Sequence, residues 1–382
     1  MTSIDTAPPA GAQPAAPVAA STRFDVASQW QLTWWSFRRH KLAMFGLAIV
    51  LLLYLIGFFA EFVAPFSPTD TNRRAVYHPP QMVRLIDMSD GFAFRPWVPK
   101  VKVSRDPISL AQTYEATDER IYLRFFGKGE PYELLGLIPW DRHLLAPEKP
   151  RERFYVFGSD RLGRDLFSRT VYATRVSMTI GLVGVMISLV LGLILGGLSG
   201  YYGGKVDAFI QRLVEFTLSL PTIPIWLALA AAVPKDWPML LQYFVITTIV
   251  SLVGWTELAR VVRGRFLSLR AEDYVVAARL DGASEKRVIF RHMMPALTSH
   301  IIASVTLAVP LMILAETSLS FLGLGLQPPA ISWGVLLKEA QNVRSIAAAP
   351  WLFIPGGFVI LAVLCLNFLG DGLRDAADPY AR

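Results

Sequence analysis

Cysteine is nearly absent: Cys365 stands alone in 382 residues, which excludes an intrachain disulfide framework and any site built on several thiolates. Histidine is scarce too. The five, His40, His78, His143, His292 and His300, show neither an HExxH motif nor another close ligand pair, so no metal site is expected. There is no GxSxG, no G-x-G-x-x-G opening a βαβ unit and no carboxylate pair with a pocket around it. The run Gly197-Leu-Ser-Gly-Tyr-Tyr-Gly-Gly-Lys205 falls short of a phosphate loop. That pattern needs glycine where Ser199 stands and Ser or Thr where Val206 stands, so the run reads as a glycine-rich helix end and turn. Catalysis by this chain, and a cofactor to support it, are therefore not expected.

Charge is also low, at 18% of residues, whereas 53% are hydrophobic and the mean hydropathy is +0.42. A water-soluble chain of this size has no use for so much apolar surface. The net charge of +7 could serve nucleic acid, but the positive residues cluster beside apolar runs, so a lipid bilayer is the expected partner and no nucleic acid is. Six runs are long enough to cross the ~30 Å hydrocarbon layer: Leu42 to Val63, Val176 to Gly200, about Phe209 to Val233, about Leu240 to Leu258, about Thr298 to Leu322, and Trp351 to Leu369. Pro221 and Pro224 interrupt the third of them. The first run exceeds a signal-peptide core and lacks a cleavage pattern, so it is expected to stay.

The expected architecture is all-α and membrane-integral, with an added β-rich insert. Residues 1–22, an Ala/Pro/Ser/Thr mixture, form a disordered cytoplasmic tail. Residues 23–64 supply an interfacial helix bearing Trp30, Trp34 and Phe37, then the first span. Residues 65–174 form a periplasmic insert whose short apolar pieces and recurring aromatics favour strands; Ser104 to Pro131 is too charged to assign. Residues 175–371 form the main transmembrane domain, and 372–382 a cytoplasmic tail. Arg260, Arg263, Arg265, Arg270, Arg279, Lys286, Arg287 and Arg291 follow span four, whereas Lys338 and Arg344 are the basic residues between spans five and six. The positive-inside rule then makes the 259–297 loop and both termini cytoplasmic.

Within that loop, good helix formers run from Tyr274 to Gly282, and a second helical stretch closes at Pro295. Two short helices joined at a glycine corner suit docking into a partner's groove, with Ala277 and Ala278 permitting close approach; packing on the chain's own bundle is the alternative. Glu316, inside span five, is the other candidate. A carboxylate there is costly and faces a pathway or a structural hydrogen bond.

Ala277, Ala278, Gly282, Ile289, His292 and Pro295 match the spacing of the EAA loop of binding-protein-dependent ABC importer permeases, a resemblance that implies ATPase coupling through Ala277, Ala278, Gly282, Ala283, Ile289 and Pro295. Gly158-Ser-Asp-Arg-Leu-Gly-Arg-Asp-Leu-Phe-Ser-Arg169, Leu319-Ser-Phe-Leu-Gly-Leu-Gly-Leu-Gln-Pro-Pro329, Ser332-Trp-Gly334 and Asn367-Phe-Leu-Gly-Asp-Gly-Leu-Arg-Asp-Ala376 with Asp378-Pro379 resemble the C-type membrane subunit of oligopeptide and dipeptide importers. Val276 departs from the glutamate that gives the loop its name, and the insert is longer than the family's usual segment. The resemblance implies a type I bundle of six spans in a bacterial inner membrane, forming half of a peptide pore. It also implies a B-type permease partner, two cytoplasmic ABC ATPases that hydrolyse the ATP, and a periplasmic solute-binding protein. Nickel chelates, glycosides and peptide-like antibiotics are cargoes of the same family. A stand-alone ion-coupled transporter would carry charges through several spans, and few occur here.

Overall fold

The computed structural model describes residues 29–87, 93–105, 112–234 and 236–377. The expected tail at 1–22 and the Asp378-Pro379 motif lie outside them. Helix α1 (Gln29–Arg39) leads into α2 (Lys41–Phe58) and a short α3 (Ala60–Val63). Six strands follow: β1 (Arg84–Asp87), β2 (Ala93–Arg105), β3 (Gln112–Phe125), β4 (Lys128–Leu134), β5 (Ile138–Arg142) and β6 (Leu145–Pro147). The rest is helical: α4 (Leu166–Tyr202), α5 (Gly204–Ser219), α6 (Thr222–Ala231), α7 (Met239–Leu269), α8 (Asp273–Leu280), α9 (Glu285–Phe321), α10 (Trp333–Glu339), α11 (Val343–Ala348) and α12 (Ile354–Ala377).

Five helices, α2, α4, α7, α9 and α12 with its preceding 3₁₀ turn, are long and apolar enough to span a membrane. In place of one straight third span there is a bent pair: α5 and α6 meet at 86°. The cause is local. Pro221 has no N–H to donate and pushes Leu220 into extended backbone at φ −90°, ψ 135°, so the helix cannot continue through it. Helices also outrun the apolar runs. Asp165 caps α4 by accepting a 2.8 Å bond from the Ser168 amide, eleven residues ahead of Val176, and α7 continues to Leu269.

Helix α4 is the centre of the bundle, packed against α2, α7 and α9. Gly184, Ser188, Gly192, Gly196 and Gly200 recur every four residues and present one small-residue stripe to α7. A β-carbon at Gly196 would stand 2.5 Å from the Ala259 carbonyl oxygen, and one at Gly200 2.5 Å from Phe266 Cβ. Backbones approach that closely only without side chains. Across the stripe, Ser188 Oγ donates to the Ser251 carbonyl and Ser251 Oγ to the Gly184 carbonyl, each at 3.0 Å. The glycine-rich run after α4 is a helix end, as expected, with Gly203 and Gly204 at φ +66° and +56°.

The insert is β-structured, and the described part of its charged stretch is largely strand as well, Gln112–Phe125 above all. An antiparallel sheet runs β1-β2-β3-β6, with Val98 opposite Ile121, and β4-β5 forms a separate hairpin. Phe66, Val98, Ile121, Leu123 and Phe154 make its core. The buried positions of β3, Ile121 and Leu123, lie toward its end, and Glu115, Asp118 and Glu119 are exposed on both faces of the part that reaches beyond the core, so charge there is compatible with strand. The insert is tied to the bundle through Asp160. Its carboxylate accepts from the Leu162 and Arg164 amides, Arg164 Nε at 2.6 Å and Arg169 Nη1 at 2.5 Å, while its carbonyl accepts from the Tyr77 amide. The Arg161 amide donates to Glu339 Oε1 at 2.9 Å, which brings α10 into the same clasp.

Candidate functional site

The corner between α8 and α9 is built by a Schellman closure. The Ala283 amide donates to the Ala278 carbonyl at 3.1 Å and the Gly282 amide to the Arg279 carbonyl at 3.0 Å, with Gly282 at φ +80°. Only glycine takes that φ without cost, which is why the turn falls there. The corner is held to the bundle by one side: Val275, Val288, Met293 and Leu297 are buried with Val262 and Phe266 of α7 and Tyr201 of α4. Its other side is bare. Leu280 is 83% and Phe290 68% exposed, Tyr274 and Val276 are exposed, and Ala277 lies open beside them. A β-carbon on Gly282 would meet nothing within 4 Å.

The second helical stretch does not close at Pro295. A π-helical turn, Val288–Met293, carries it into the long helix, and Pro295 sits in the first turn after that break, where a missing N–H costs little. The corner is therefore covalently rigid with α9. Ala277, Ala278, Gly282 and Ala283 come together at it, Ile289 is half-buried behind it, and Pro295 lies about three turns along α9, away from the corner.

A cavity of about 670 Å³ opens between α4, α6, α7 and α9. Its walls are apolar, among them Val185, Trp226, Leu258 and Met312, with Ser188, Thr222, Glu257, Ser304 and Ser318 as the polar exceptions. The sequence reading did not pick these out, because residues facing a cavity between spans have the same composition as residues facing lipid. Helices α7 and α9, which flank the corner, supply most of this wall.

Glu316 is not on that wall. It is fully buried, and its Oε1 accepts from Ser320 Oγ and Ser332 Oγ, each at 2.7 Å. Those hydroxyls in turn accept from the Leu326 and Val335 amides. The carboxylate thus fastens the loop after α9 and the start of α10. Oε2 makes no bond within hydrogen-bonding geometry, with the Ser177 hydroxyl the third polar group beside the carboxyl.

Two families match the sequence. The binding-protein-dependent transport system inner membrane component matches residues 188–382, and the N-terminal TM domain of oligopeptide transport permease C matches residues 28–80. The oligopeptide transport system permease protein OppC of Bacillus subtilis (strain 168) is 36% identical over 241 residues, 63% of this chain and 76% of its own. The dipeptide permease protein DppC of the same organism is 39% identical over 59% of this chain and 69% of its own. OppC of Escherichia coli (strain K12) is 39% identical over 64% and 78%. A solved chain titled as an inward-facing conformation of the MetNI methionine ABC transporter overlays at TM-score 0.45 and 15% identity, over 56% of this chain and 98% of that one, too loosely to bear on the site. With half its length in the first family and the start of its helical region in the second, the chain belongs to the binding-protein-dependent ABC permeases of the inner membrane, in the oligopeptide and dipeptide branch.

Proposed function

We propose that this chain is the C-type half of the pore of an ATP-driven importer for oligopeptides or dipeptides. The observation that carries the reading is the exposed corner at Gly282, continuous through α7 and α9 with the two helices that form most of the cavity wall. A partner that grips and moves the corner must shift both helices, because packed elements move as rigid bodies. Two cytoplasmic ATPases supply that partner and the hydrolysis, a B-type permease closes the cavity from the other side, and a periplasmic binding protein delivers the cargo. The bent α5–α6 pair serves as the sixth span, which puts both termini and the 259–297 loop in the cytoplasm and the insert outside. Residues 175–371 then act as the transport domain. Ala277, Ala278, Gly282, Ala283, Ile289 and Pro295 act in coupling, and Glu316 positions the outer loop beside the pathway.

Tagged chain, purified from its own membranes, is expected to bring a second permease and ATPase subunits with it. In a Cys365→Ala background, Ala283→Cys is expected to form a disulfide or a short cross-link to a cysteine placed in the ATPase groove. A chain that purifies alone and transports alone would overturn the reading.

A further inference from the structure

The end of α4 carries two adjacent tyrosines, and each is tied to a different arm of the Gly282 corner. Tyr201 is buried with Val262, Phe266, Val275 and Val288, and the Arg279 guanidinium, on α8 ahead of the corner, lies 4.9 Å from its ring centre. Tyr202 is exposed, and its hydroxyl donates at 2.8 Å to Oε2 of Glu285, the first residue of α9 beyond the corner. Successive residues on a helix project about 100° apart, which lets neighbouring tyrosines reach arms on either side of the turn. Their rings stand edge to face at 5.2 Å, so the two ties share one anchor. A hydroxyl bonded to a carboxylate in water adds little to stability. What it fixes is where the corner sits against α4.

The same helix end is held on its other sides. Arg270, at the end of α7, donates from Nη1 to the Tyr201 carbonyl at 3.3 Å. Ser199 Oγ donates to the Asp207 carboxylate of α5, which Arg263 of α7 grips through both Nε and Nη2, and Gln211 Nε2 donates to Ser199 Oγ at 3.2 Å. Bonds from α5, α8, α9 and the end of α7 thus converge on the last turn of α4. From there α4 is one continuous helix of 37 residues, ~55 Å at 1.5 Å per residue, with no proline in it. Its Val185, Ser188 and Leu189 stand on the cavity wall. A displacement of the corner therefore has a bonded route to that wall in addition to the two helices the corner is continuous with.

We propose that Tyr201 and Tyr202 are positioning residues for coupling: they make the corner and the end of α4 one body, so that a grip on the corner moves α4, and the wall residues it carries, together with α7 and α9. The proposal rests on the importer reading and deepens it. Apolar contacts are non-directional, and the buried cluster behind the corner would by itself let α8 and the start of α9 roll over the end of α4. Directed ties on both arms, at Arg279 and at Glu285, oppose that roll. They lie on the held side of the corner and leave Leu280 and Val276 bare for a partner. Elements held in this way are displaced as a rigid body.

The test uses the full chain with its co-purifying subunits in proteoliposomes and reads binding-protein-stimulated ATP hydrolysis, with the Cys365→Ala assembly as the reference. In that background, Tyr202→Cys with Glu285→Cys removes the bond between hydroxyl and carboxylate. Stimulation is expected to fall several-fold at an unchanged melting temperature, because the bond is exposed. A reducible bis-methanethiosulfonate bridge between the two cysteines, applied to the reference as well, should return stimulation close to the reference level, and reduction should lower it again. Reference-level stimulation without the bridge would make the tie idle and overturn the proposal. A bridge that leaves stimulation low, or abolishes it, would mean that the corner must move against α4, and would overturn it too. So would a lowered melting temperature that accounts for the loss, since the contact would then be merely structural. Each of these results leaves subunit co-purification and the Ala283→Cys cross-link to the ATPase in place, whereas failure of the importer reading removes both.

Discussion

Substitution at Gly282 separates two reasons for a glycine at the corner proposed to couple the pore to its ATPase. At φ +80° any β-carbon meets the following carbonyl, and alanine there costs ~1–2 kcal/mol, asparagine less. Because a β-carbon at this position meets no atom within 4 Å, the isolated permease has no clash to add to that strain. Gly282→Ala should thus lower the melting temperature in detergent by the strain alone, and Gly282→Asn by a smaller amount. Docking predicts a different order. If a partner's groove approaches the corner, Asn and Asp both place extra atoms in it, and each ~1.4 kcal/mol of lost docking is a tenfold loss of association. Binding-protein-stimulated ATP hydrolysis in proteoliposomes is then expected to fall at least tenfold in Gly282→Asn and Gly282→Asp, although Asn leaves the fold nearly unstrained. Wild-type stimulation in both variants, with no cross-link to the ATPase from any cysteine placed between Ala277 and Glu285, would refute the coupling role of the corner.

Three further outcomes follow from the structure. Gly163 holds φ +71° and a β-carbon would stand 1.9 Å from the Asn72 carbonyl oxygen, so Gly163→Ala should displace the Asp160 clasp and cost more than the ~1–2 kcal/mol of backbone strain alone; an unchanged melting temperature would refute the clasp's role. Burial pushes Asp165 up to about 6, against the bonds it accepts from Ser168, so its contribution of ~3 kcal/mol is present near pH 4 and lost as pH rises to 6. Burial lowers His78 to about 4, against its bond to the Pro79 carbonyl, so its similar contribution is lost as pH falls from 6.5. Asp165→Asn should therefore make stability rise between pH 4.5 and 7, and His78→Asn should make it fall; slopes of the same sign would sink both assignments. Glu316→Leu strands the Ser320 and Ser332 hydroxyls in a dry site and should cost about 2 kcal/mol or more, while Glu316→Gln keeps an acceptor and should assemble and transport normally. Loss of transport in Glu316→Gln at unchanged stability would restore a pathway role for the charge.

The sequence by itself determined that the chain is a multi-span membrane protein and where its exposed glycine corner lies. Apolar runs of sufficient length admit only helices in lipid, and a glycine between two helical stretches marks a turn whatever surrounds it. The motifs around Gly158, Leu319 and Asn367 carried the family. Element ends were less legible: the runs show where lipid touches a helix, not where its hydrogen bonds stop, so α4 begins at Asp165's cap and α9 passes through Pro295 by a π turn. The charged strand Gln112–Phe125 was hidden because its buried positions, Ile121 and Leu123, are confined to one end and the rest is exposed on both faces, so no apolar alternation marks it. Only the tertiary structure decided three things. Whether Glu316 faced a cavity or serines depended on the loop that returns Ser332 sixteen residues later. The cavity wall needed four helices in place, since its residues match lipid-facing ones in kind. The seat of the β4–β5 hairpin beside α3 depended on contacts with Ser67, Ala64 and Phe62, more than sixty residues away in sequence, which no local pattern encodes.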